Sequence, residues 1–552
     1  MPNEHVDSRT LAAGHAAPPA DLQEHMARLE AAGLLVRVDR AIDKDSELQP
    51  LVRLQFLGGI PENERKAFLF TNVVDAKGRR YDMPVLLGAL SASPRIYAMG
   101  MGCEVEEIGD AWVKAIANPV EPKIVTNAPV QEVVLTGEAL AKAGGVGMLP
   151  VPVSTPGFDS APYLTATLCV TKDPETGIQN IGMYRAALKA KDRVAVRMVA
   201  RPGGAGGYFH WLKYRERKER MPIAIALGGA PAVVYTSPQK LAQDVDELAI
   251  AGGLMGHAVE AVKCKTIDLL VPARAEIVIE GYIEPGVLEP EAPFGESNGY
   301  VALEAFNMPM TVTAITHRRK PVFNAIISQV TPSESSVIKK VAYEPLFLAH
   351  LKKTMGIKGV QRVVLHEPLT NLRPVIFVQY AYGTSRAEVW RGMTGASSFM
   401  SGVGKVIIAV SDDIDPASVD AVLWSIAYRC KPGEDVHIVP NRGGGQGSQY
   451  GSTAGLDAAM LIDATRKRPM PPLALPRQEY MERAQTIWAE LGLPELKLNS
   501  PWHGYTLGDW TDTWQRFADR TVAGDWEANG LETLARQRDG LEPETSVKKV
   551  EG

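Results

Sequence analysis

Apolar and polar positions recur with two different periods along the chain, and the changes of period divide it. Leu22, Met26 and Leu29 are spaced as on a helix behind Asp21, with Glu24 three residues on and Gly33 just past the end. That pattern predicts a helix with a capping box. Residues 34–38 then read as a short strand, and helix and strand signals alternate to about residue 130, as in an α/β layer. From about 163 the period is two, with Leu164, Ala166, Leu168 and Val170 alternating with Tyr163, Thr165, Thr167 and Cys169. A turn at 172–177 leads to a second strand, 178–188, and a turn at 189–192 to a third, 193–199. Three strands joined by short turns predict an antiparallel sheet or barrel. One helix interrupts it, with Ser237-Pro238 at its start, Leu241, Val245 and Leu248 as its stripe, and Gly252-Gly253 weakening its end. Strands resume at 275–279 and 310–315. Beyond about 330, the unbroken apolar runs 375–378 and 405–410 beside helical stretches predict buried strands of a further α/β domain.

Composition narrows the class. With 552 residues, 45% of them hydrophobic, the chain has length for several cores and too much apolar content for bulk disorder. Lys and Arg number 59 against 64 Asp and Glu, a net charge of −5, so no basic footprint points to nucleic acid. The four cysteines form no CxxC pair, which excludes a zinc ribbon or a disulfide scaffold. Met1 to Thr10 hold no apolar signal segment, and no apolar run approaches the ~18 residues of a membrane span. The expectation is a cytoplasmic protein with no membrane partner. Residues 501–552 carry Trp502, Trp510, Trp514 and Trp526, four of the nine tryptophans, on an acidic background. Such a tail docks either on a second subunit or on its own chain.

Three stretches carry candidate chemistry. In Glu291-Ala292-Pro293-Phe294-Gly295-Glu296 two carboxylates bracket a turn, which aims both into one cavity if they are not simply solvated. Carboxyls sharing a poorly hydrated site separate in pKa, so that one stays ionised while the other donates a proton. In Gln179-Asn180-Ile181-Gly182-Met183-Tyr184-Arg185, a cavity-facing Arg185 would suit a substrate carboxylate, and Asn180 offers an oxygen to a hard cation. Five residues apart on a regular strand means opposite faces, so the two share a site only if Gly182 marks a kink. The glycine runs 201–207 and 442–447 match neither a Walker loop nor a dinucleotide fingerprint, although the first, beside Arg201, would cradle a phosphate. The ten histidines contain no HExxH.

Taken in order, Asn180, Tyr184-Arg185, Glu247, Val262-Lys263-Cys264, Glu291 to Glu296, Gly299-Tyr300 and the run 313–319 form a series that resembles the UbiD-type decarboxylases, which use prenylated FMN. Asp412-Asp413-Ile414-Asp415-Pro416 and Gly455-Leu456-Asp457-Ala458 extend the likeness, which covers roughly residues 20 to 470. The resemblance implies an α/β (α+β) fold with an N-terminal α/β region, a central split β-barrel that carries the flavin, and a C-terminal α/β domain used in oligomerisation. With the periodicity it suggests a flexible arm at 1–19, domains at 20–130, 131–330 and 331–500, and a docking tail at 501–552.

The resemblance also implies roles. Arg185 would bind the substrate carboxylate, Glu291 would position Arg185, and Glu296 would be the proton donor. Asn180 and Glu247 match ligands of a divalent metal, usually manganese, at the cofactor phosphate, and K+ is a further candidate ion. By periodicity alone Glu247 lies off the apolar stripe and reads as a solvated helix residue. Met183, Tyr184, Arg185, Arg197, Met198, Val199, Pro202 and Gly203 match cofactor-contacting segments, and Lys405 matches a phosphate-binding lysine. The implied activity is reversible, non-oxidative decarboxylation of an aromatic or α,β-unsaturated acid, free or as a coenzyme A thioester. A flavin prenyltransferase would supply the cofactor, and the assembly would be a homo-oligomer, a dimer or hexamer. Competing readings are a flavin oxidoreductase on a split barrel and a non-catalytic flavin-bearing assembly partner.

Two positions depart from the family pattern. Ala292 replaces a glycine, and Arg201 stands where the family has a metal-binding histidine. Arginine stays protonated and cannot ligate a metal. Arg201 is therefore expected to contact the cofactor phosphate and to weaken or replace the divalent ion, and His210 lies out of register for the vacant role. Elemental analysis of the holoprotein should find little divalent metal, and more after Arg201→His; tightly bound stoichiometric metal unchanged by the swap would refute this.

Overall fold

The computed structural model describes residues 17–198, 205–239, 241, 245–291, 293–297, 299–400, 402–443, 456–504, 510–540, 542 and 545. Asp21 caps helix Leu22–Ala31 by accepting from the Glu24 N–H at 2.9 Å. Glu24 reaches back to the N–H of Ala20 rather than of Asp21, so the box is displaced by one residue. Gly33, at φ 69°, turns the chain into strand Leu35–Val38. That strand pairs in parallel with Ala67–Phe70, which pairs with Val85–Leu87, and Phe323–Asn324 returns from the end of the central region to complete this sheet.

The central sheet is antiparallel along its whole path. It runs Gln179–Gly182, Thr167–Lys172, Met221–Leu227, Ile277–Ile283, Ala305–His317, Arg193–Val196, Ala186–Ala190 and Tyr163–Leu164. The chain itself ties the two ends of the path together, through 165–166 and through 183–185. The sheet therefore curls into a split barrel. The predicted strand 178–188 is two strands, because Met183, Tyr184 and Arg185 are the crossing between the barrel's open edges.

Strand Met221–Leu227 and the first half of Ile277–Ile283, residues 277–279, are apolar on both faces. Ile223, Ile225, Ile277 and Ile279 join Leu22, Phe70 and Leu86 in one core, while Ala224, Ala226 and Val278 join Trp112, Val233 and Leu248 in another. Alanine on the second face lets helices lie close to the sheet. The interrupting helix differs from the prediction. Ser237 follows a short helix, Pro231–Thr236, and the longer helix Glu247–Met255 begins at Asp246, which accepts from the Leu248 N–H at 2.8 Å. It runs through Gly252 and Gly253, where a Cβ would stand 2.4 Å from the Val120 carbonyl oxygen and 2.8 Å from that of Ala115. Here the glycines lie in the last turn and permit close approach.

The C-terminal region is a five-stranded sheet ordered Val360–Leu365, Val375–Tyr380, Val406–Ser411, Leu456–Asp463 and Val436–Gly443, with its middle three strands parallel. Both predicted apolar runs lie in those middle strands. Helix Glu334–Ala349 joins this sheet to the rest, and its first residue is fully buried. Glu334 accepts from the N–H groups of Leu90 (3.2 Å) and Ile327 (3.1 Å), binding the N-terminal layer and the end of the barrel to one carboxyl. Helices Gln478–Glu490, Asp512–Val522 and Trp526–Leu534 contain no buried residue, while Trp502 and His503 line a cavity of the C-terminal sheet. The Gly504 N–H also donates to the Pro476 carbonyl at 2.9 Å and Arg477 to Gln515, so the tail is seated on its own chain at several points. No helix among them is long and apolar enough to cross a membrane.

Burial pushes the Glu334 carboxyl up to about 7 despite its backbone donors, and burial raises Glu247 and Glu344 to about 7 as well. The folded protein then holds protons that the unfolded chain releases, so this stabilisation is complete below the ordinary carboxyl range and is lost as pH rises to about 7. Buried His25 and His210, lowered to about 4, contribute the opposite slope below about 6.5. The test is therefore a difference. Between pH 4.5 and 7.5, Glu334→Ala should remove about one proton equivalent of falling slope from denaturant titrations while lowering stability throughout.

Candidate active site

Arg185 sits at the crossing between the barrel edges. Its predecessor Tyr184 folds back over Gly182, where a Cβ would lie 2.0 Å from the ring. Gly182 ends its strand in regular register with Cys169, so the strand stops before Arg185 and strand parity no longer separates Asn180 from Arg185. Asn180 stays on the strand and Arg185 lies off it, and both line one cleft of about 810 Å³.

Two further pieces bring the acids. Glu291 ends strand Glu289–Glu291, which pairs with the long strand Ala305–His317. Phe294–Gly295 pairs with Val301–Ala302, and the Glu296 N–H closes the connection onto the Tyr300 carbonyl at 2.9 Å. Gly295 packs so closely on Thr155 that a Cβ would stand 2.2 Å from its hydroxyl oxygen, and its N–H donates to Asp159 at 2.9 Å. That clamp fixes where Glu296 leaves the turn.

The Arg185 guanidinium meets both acids. Nε donates to Glu291 Oε1 at 2.8 Å and Nη2 to Oε2 at 3.0 Å, a two-point fork, while Nη1 donates to Glu296 Oε1 at 2.5 Å. Glu291 is fully buried, the Arg185 side chain is 8% exposed and that of Glu296 15% exposed. Asn307 Nδ2 gives Glu291 a further bond at 3.3 Å. Arg197 approaches the same carboxylates at 3.7 and 3.8 Å. Beneath the guanidinium lie the rings of Phe294, 4.4 Å away, and Tyr163, 5.8 Å away. Burial works against the charge on Arg185, but the bonds from Glu291 and the charges of both acids outweigh it and hold its pKa above the ordinary value. Burial first, and the Glu291 charge after it, push the Tyr163 phenol up to about 12.

At the other end of the cleft stand Asn180, Glu247 and His210. Glu247 is buried, contrary to the solvated position that periodicity assigns it, because it opens its helix against the barrel edge and accepts from the Ile181 N–H at 2.9 Å. Its carboxyl, pushed up by burial to about 7, has no cationic partner among the described residues. Asn180 Nδ2 donates to the Tyr184 hydroxyl at 3.2 Å. His210, out of register by sequence, lies one helical turn beyond Gly206, and its Nδ1 shares a 3.0 Å hydrogen bond with Thr171. Burial lowers its pKa to about 4. Among the described residues no group of three or more His, Cys, Asp or Glu side chains is arranged to hold a metal ion.

Met183, Tyr184 and Arg197 line the cleft as expected, whereas Met198 is buried against Gly207 behind it. Lys405 is not brought there: its amine is held at 2.9 Å by Asp457 on the neighbouring strand, in the C-terminal sheet. Val199, Arg201, Pro202 and Gly203 lie outside the described residues. Tyr163, Asn307 and Asp159 were not singled out from the sequence, nor were Lys339 and Arg373, which line the cleft from the C-terminal side. Only their place on strands with period two, for Tyr163 and Asn307, offered a local signal.

Glu291→Ala would strand the Arg185 guanidinium in a buried site with one acid left. Urea unfolding should show a loss of about 3–5 kcal/mol; Glu291→Gln, which keeps shape and one acceptor, should cost less.

Comparison with known proteins agrees with this geometry. Residues 123–330 match the 3-octaprenyl-4-hydroxybenzoate carboxy-lyase Rift-related domain, residues 336–464 its C-terminal domain and residues 26–116 its N-terminal domain. The UbiD-class enzyme HmfF from Pelotomaculum thermopropionicum, solved with FMN, is 31% identical over 82% of this chain and 95% of that one, with a TM-score of 0.72. An evolved dimeric form of HmfF, solved with prFMN, is 30% identical over 83% of this chain and 97% of that one, with a TM-score of 0.71. Vanillic acid decarboxylase from Sedimentibacter hydroxybenzoicus, in closed form, shares the fold at 24% identity, over 86% of this chain and 100% of that one, with a TM-score of 0.71. With its barrel, its cleft and all three domain matches in place, the chain belongs to the UbiD family and is a carboxy-lyase.

Proposed function

We propose that this carboxy-lyase reversibly decarboxylates an aromatic or α,β-unsaturated carboxylic acid with prenylated FMN, Arg185 binding the carboxylate and Glu296 moving the proton. The observation that carries this reading is the buried guanidinium shared by two acids on the wall of a cleft.

The cleft suits a flavin mononucleotide. At the start of helix Gly206–Arg217 a Cβ on Gly206 would stand 2.1 Å from Asn180 Oδ1, and one on Gly207 would stand 2.8 Å from Met198 Sδ. Only glycines let this helix start so deep, where its N–H groups and Arg197 would face a phosphate. Met183, Tyr184 and Arg197 would hold the cofactor. Asn180 and Glu247 offer two oxygens to a cation, and a buried carboxyl without a cationic partner among the described residues is a position that a cation would relieve. When bound, prenylated FMN supplies the electron sink that side chains lack once CO2 departs.

The residues of this chain do the rest. Glu291 occupies the Nε and Nη2 donors of Arg185 and so fixes the plane of the guanidinium. Nη1 then points along a fixed line, and there a substrate carboxylate would compete with Glu296 for it. Displaced from Nη1, Glu296 is free to carry a proton. When the bond from ring or vinyl carbon to CO2 breaks, the electron pair left behind takes that proton from Glu296, whose new negative charge returns to Arg185 and Arg197. Its partial exposure allows the proton to be replaced from solvent. Run backwards, Glu296 removes a proton from carbon before CO2 adds. Phe294 and Tyr163 keep water from beneath the guanidinium.

Glu296→Gln should keep bound flavin and lose CO2 release and solvent deuterium exchange by a factor of about 10² or more. Arg185→Ala should lose substrate binding as well. A panel of aromatic acids and coenzyme A thioesters scored by CO2 release would fix the substrate class, and full turnover in Glu296→Gln would reject the role of that residue.

A further inference from the structure

A second cavity, of about 760 Å³, opens in the C-terminal sheet. Its position follows from the winding of the chain. Helix Arg386–Phe399, between strands Val375–Tyr380 and Val406–Ser411, packs Val389 and Met393 with Ile376 and Ile407 on one face of the sheet. Helix Val419–Arg429, which follows the second strand, packs Ala421 and Val422 with Phe377 and Ile408 on the other. The chain changes face at the central strand, so the loops leaving the carboxyl ends of neighbouring strands diverge and leave a crevice between them. Tyr382, Asp412 and Arg466, each just beyond one of the three parallel strands, line it.

The charges in the crevice are unevenly matched. Asp415 is bonded to Arg362 at 3.0 Å, Asp413 to Arg429 at 2.8 and 2.6 Å, and Asp412 accepts from the Tyr382 N–H at 3.0 Å. Arg466 has no acid. Its guanidinium lies 3.5 Å over the Tyr382 ring, and its Nε and Nη1 are buried with no acceptor among the described residues. Two guanidinium nitrogens taken out of water without an acceptor are costly, and a bound anion removes that cost. The roof is Leu498 to His503, with Trp502 and His503 in edge contact at 4.5 Å. This segment lies past residue 464, where the match to the family's C-terminal domain stops.

We infer that this crevice is a second ligand site, separate from the decarboxylation cleft, that takes a planar-ring monocarboxylate. The carboxylate would bind Arg466, and the ring would lie against Trp502 and Tyr382. A hydroxyl on the ring would donate to Asp412. Three aspartates against two arginines in the lining disfavour a polyphosphate, which separates this site from a nucleotide crevice of the same topology.

Isothermal titration of the holoenzyme with 6-hydroxy-2-naphthoate tests this. Two binding events are expected in the native protein. Arg466→Gln should weaken one of them about tenfold or more, with CO2 release from the enzyme's own substrate unchanged. Tyr382→Leu should weaken the same event and serves if the first variant misfolds. A single binding event in the native protein, two unchanged events in either folded variant, or stronger displacement of the second event by inorganic phosphate than by benzoate would overturn the assignment.

Discussion

One cation lodged in a gap of a β-barrel organises this molecule. Arg185 is buried at the place where the chain steps from one open edge of the central sheet to the other, and a charge there is tolerable only with acids around it. Glu291 meets it with a two-point fork from a strand edge, and Glu296 meets it from a turn clamped by Gly295, Thr155 and Asp159. Each acid arrives on its own element, more than a hundred residues along the chain. Barrel closure, strand register and the clamp must all be correct before the cluster forms. The same economy of charge would serve the proposed reaction, because a substrate carboxylate entering the cleft would take up a contact that Glu296 already makes.

The two ends of the cleft carry opposite electrostatic problems. At one end a guanidinium has two acids. At the other, Glu247 is a buried carboxyl that accepts from the backbone N–H of Ile181. A cofactor carrying phosphate beside a cation, lying between those ends, would meet needs at both. The glycine-opened start of helix Gly206–Arg217 belongs to the second end, and its depth is possible only without a Cβ at residues 206 and 207. The C-terminal sheet shows a related imbalance at Arg466, but in a crevice built by chain winding instead of by barrel closure.

Much of this was legible from local signals. The helix behind Asp21, the period of two from 163, and the buried apolar runs at 375 and 405 depend on neighbours in sequence, and all appear as elements of the right kind. That Asn180 and Arg185 share a site only with a bulge or kink at Gly182 was also legible, and the structure meets the condition differently, by ending the strand there. Elsewhere distant packing overrode a local rule or supplied a different reason for it. Gly252 and Gly253 read as weakening a helix end and do lie in its last turn, but their reason is distant packing, because the carbonyls of Val120 and Ala115 press against them. Glu247 looks solvated by its place off a stripe, but its helix starts at Asp246 and drives that first residue into the barrel wall.

By itself the sequence determined which segments are strands and helices, which residues bear chemistry, and that Arg185, Glu291 and Glu296 belong to one ordered series. Periodicity and motif order are properties of a line, and they survive without knowledge of what packs on what. Only the tertiary structure decided that the barrel is split at 183–185, that His210, Lys339 and Arg373 face the same cleft, and that Lys405 stays with Asp457 outside it. Those facts depend on which edges close and which carbonyls and acids lie across the gap, and no spacing along the chain encodes a distance through space.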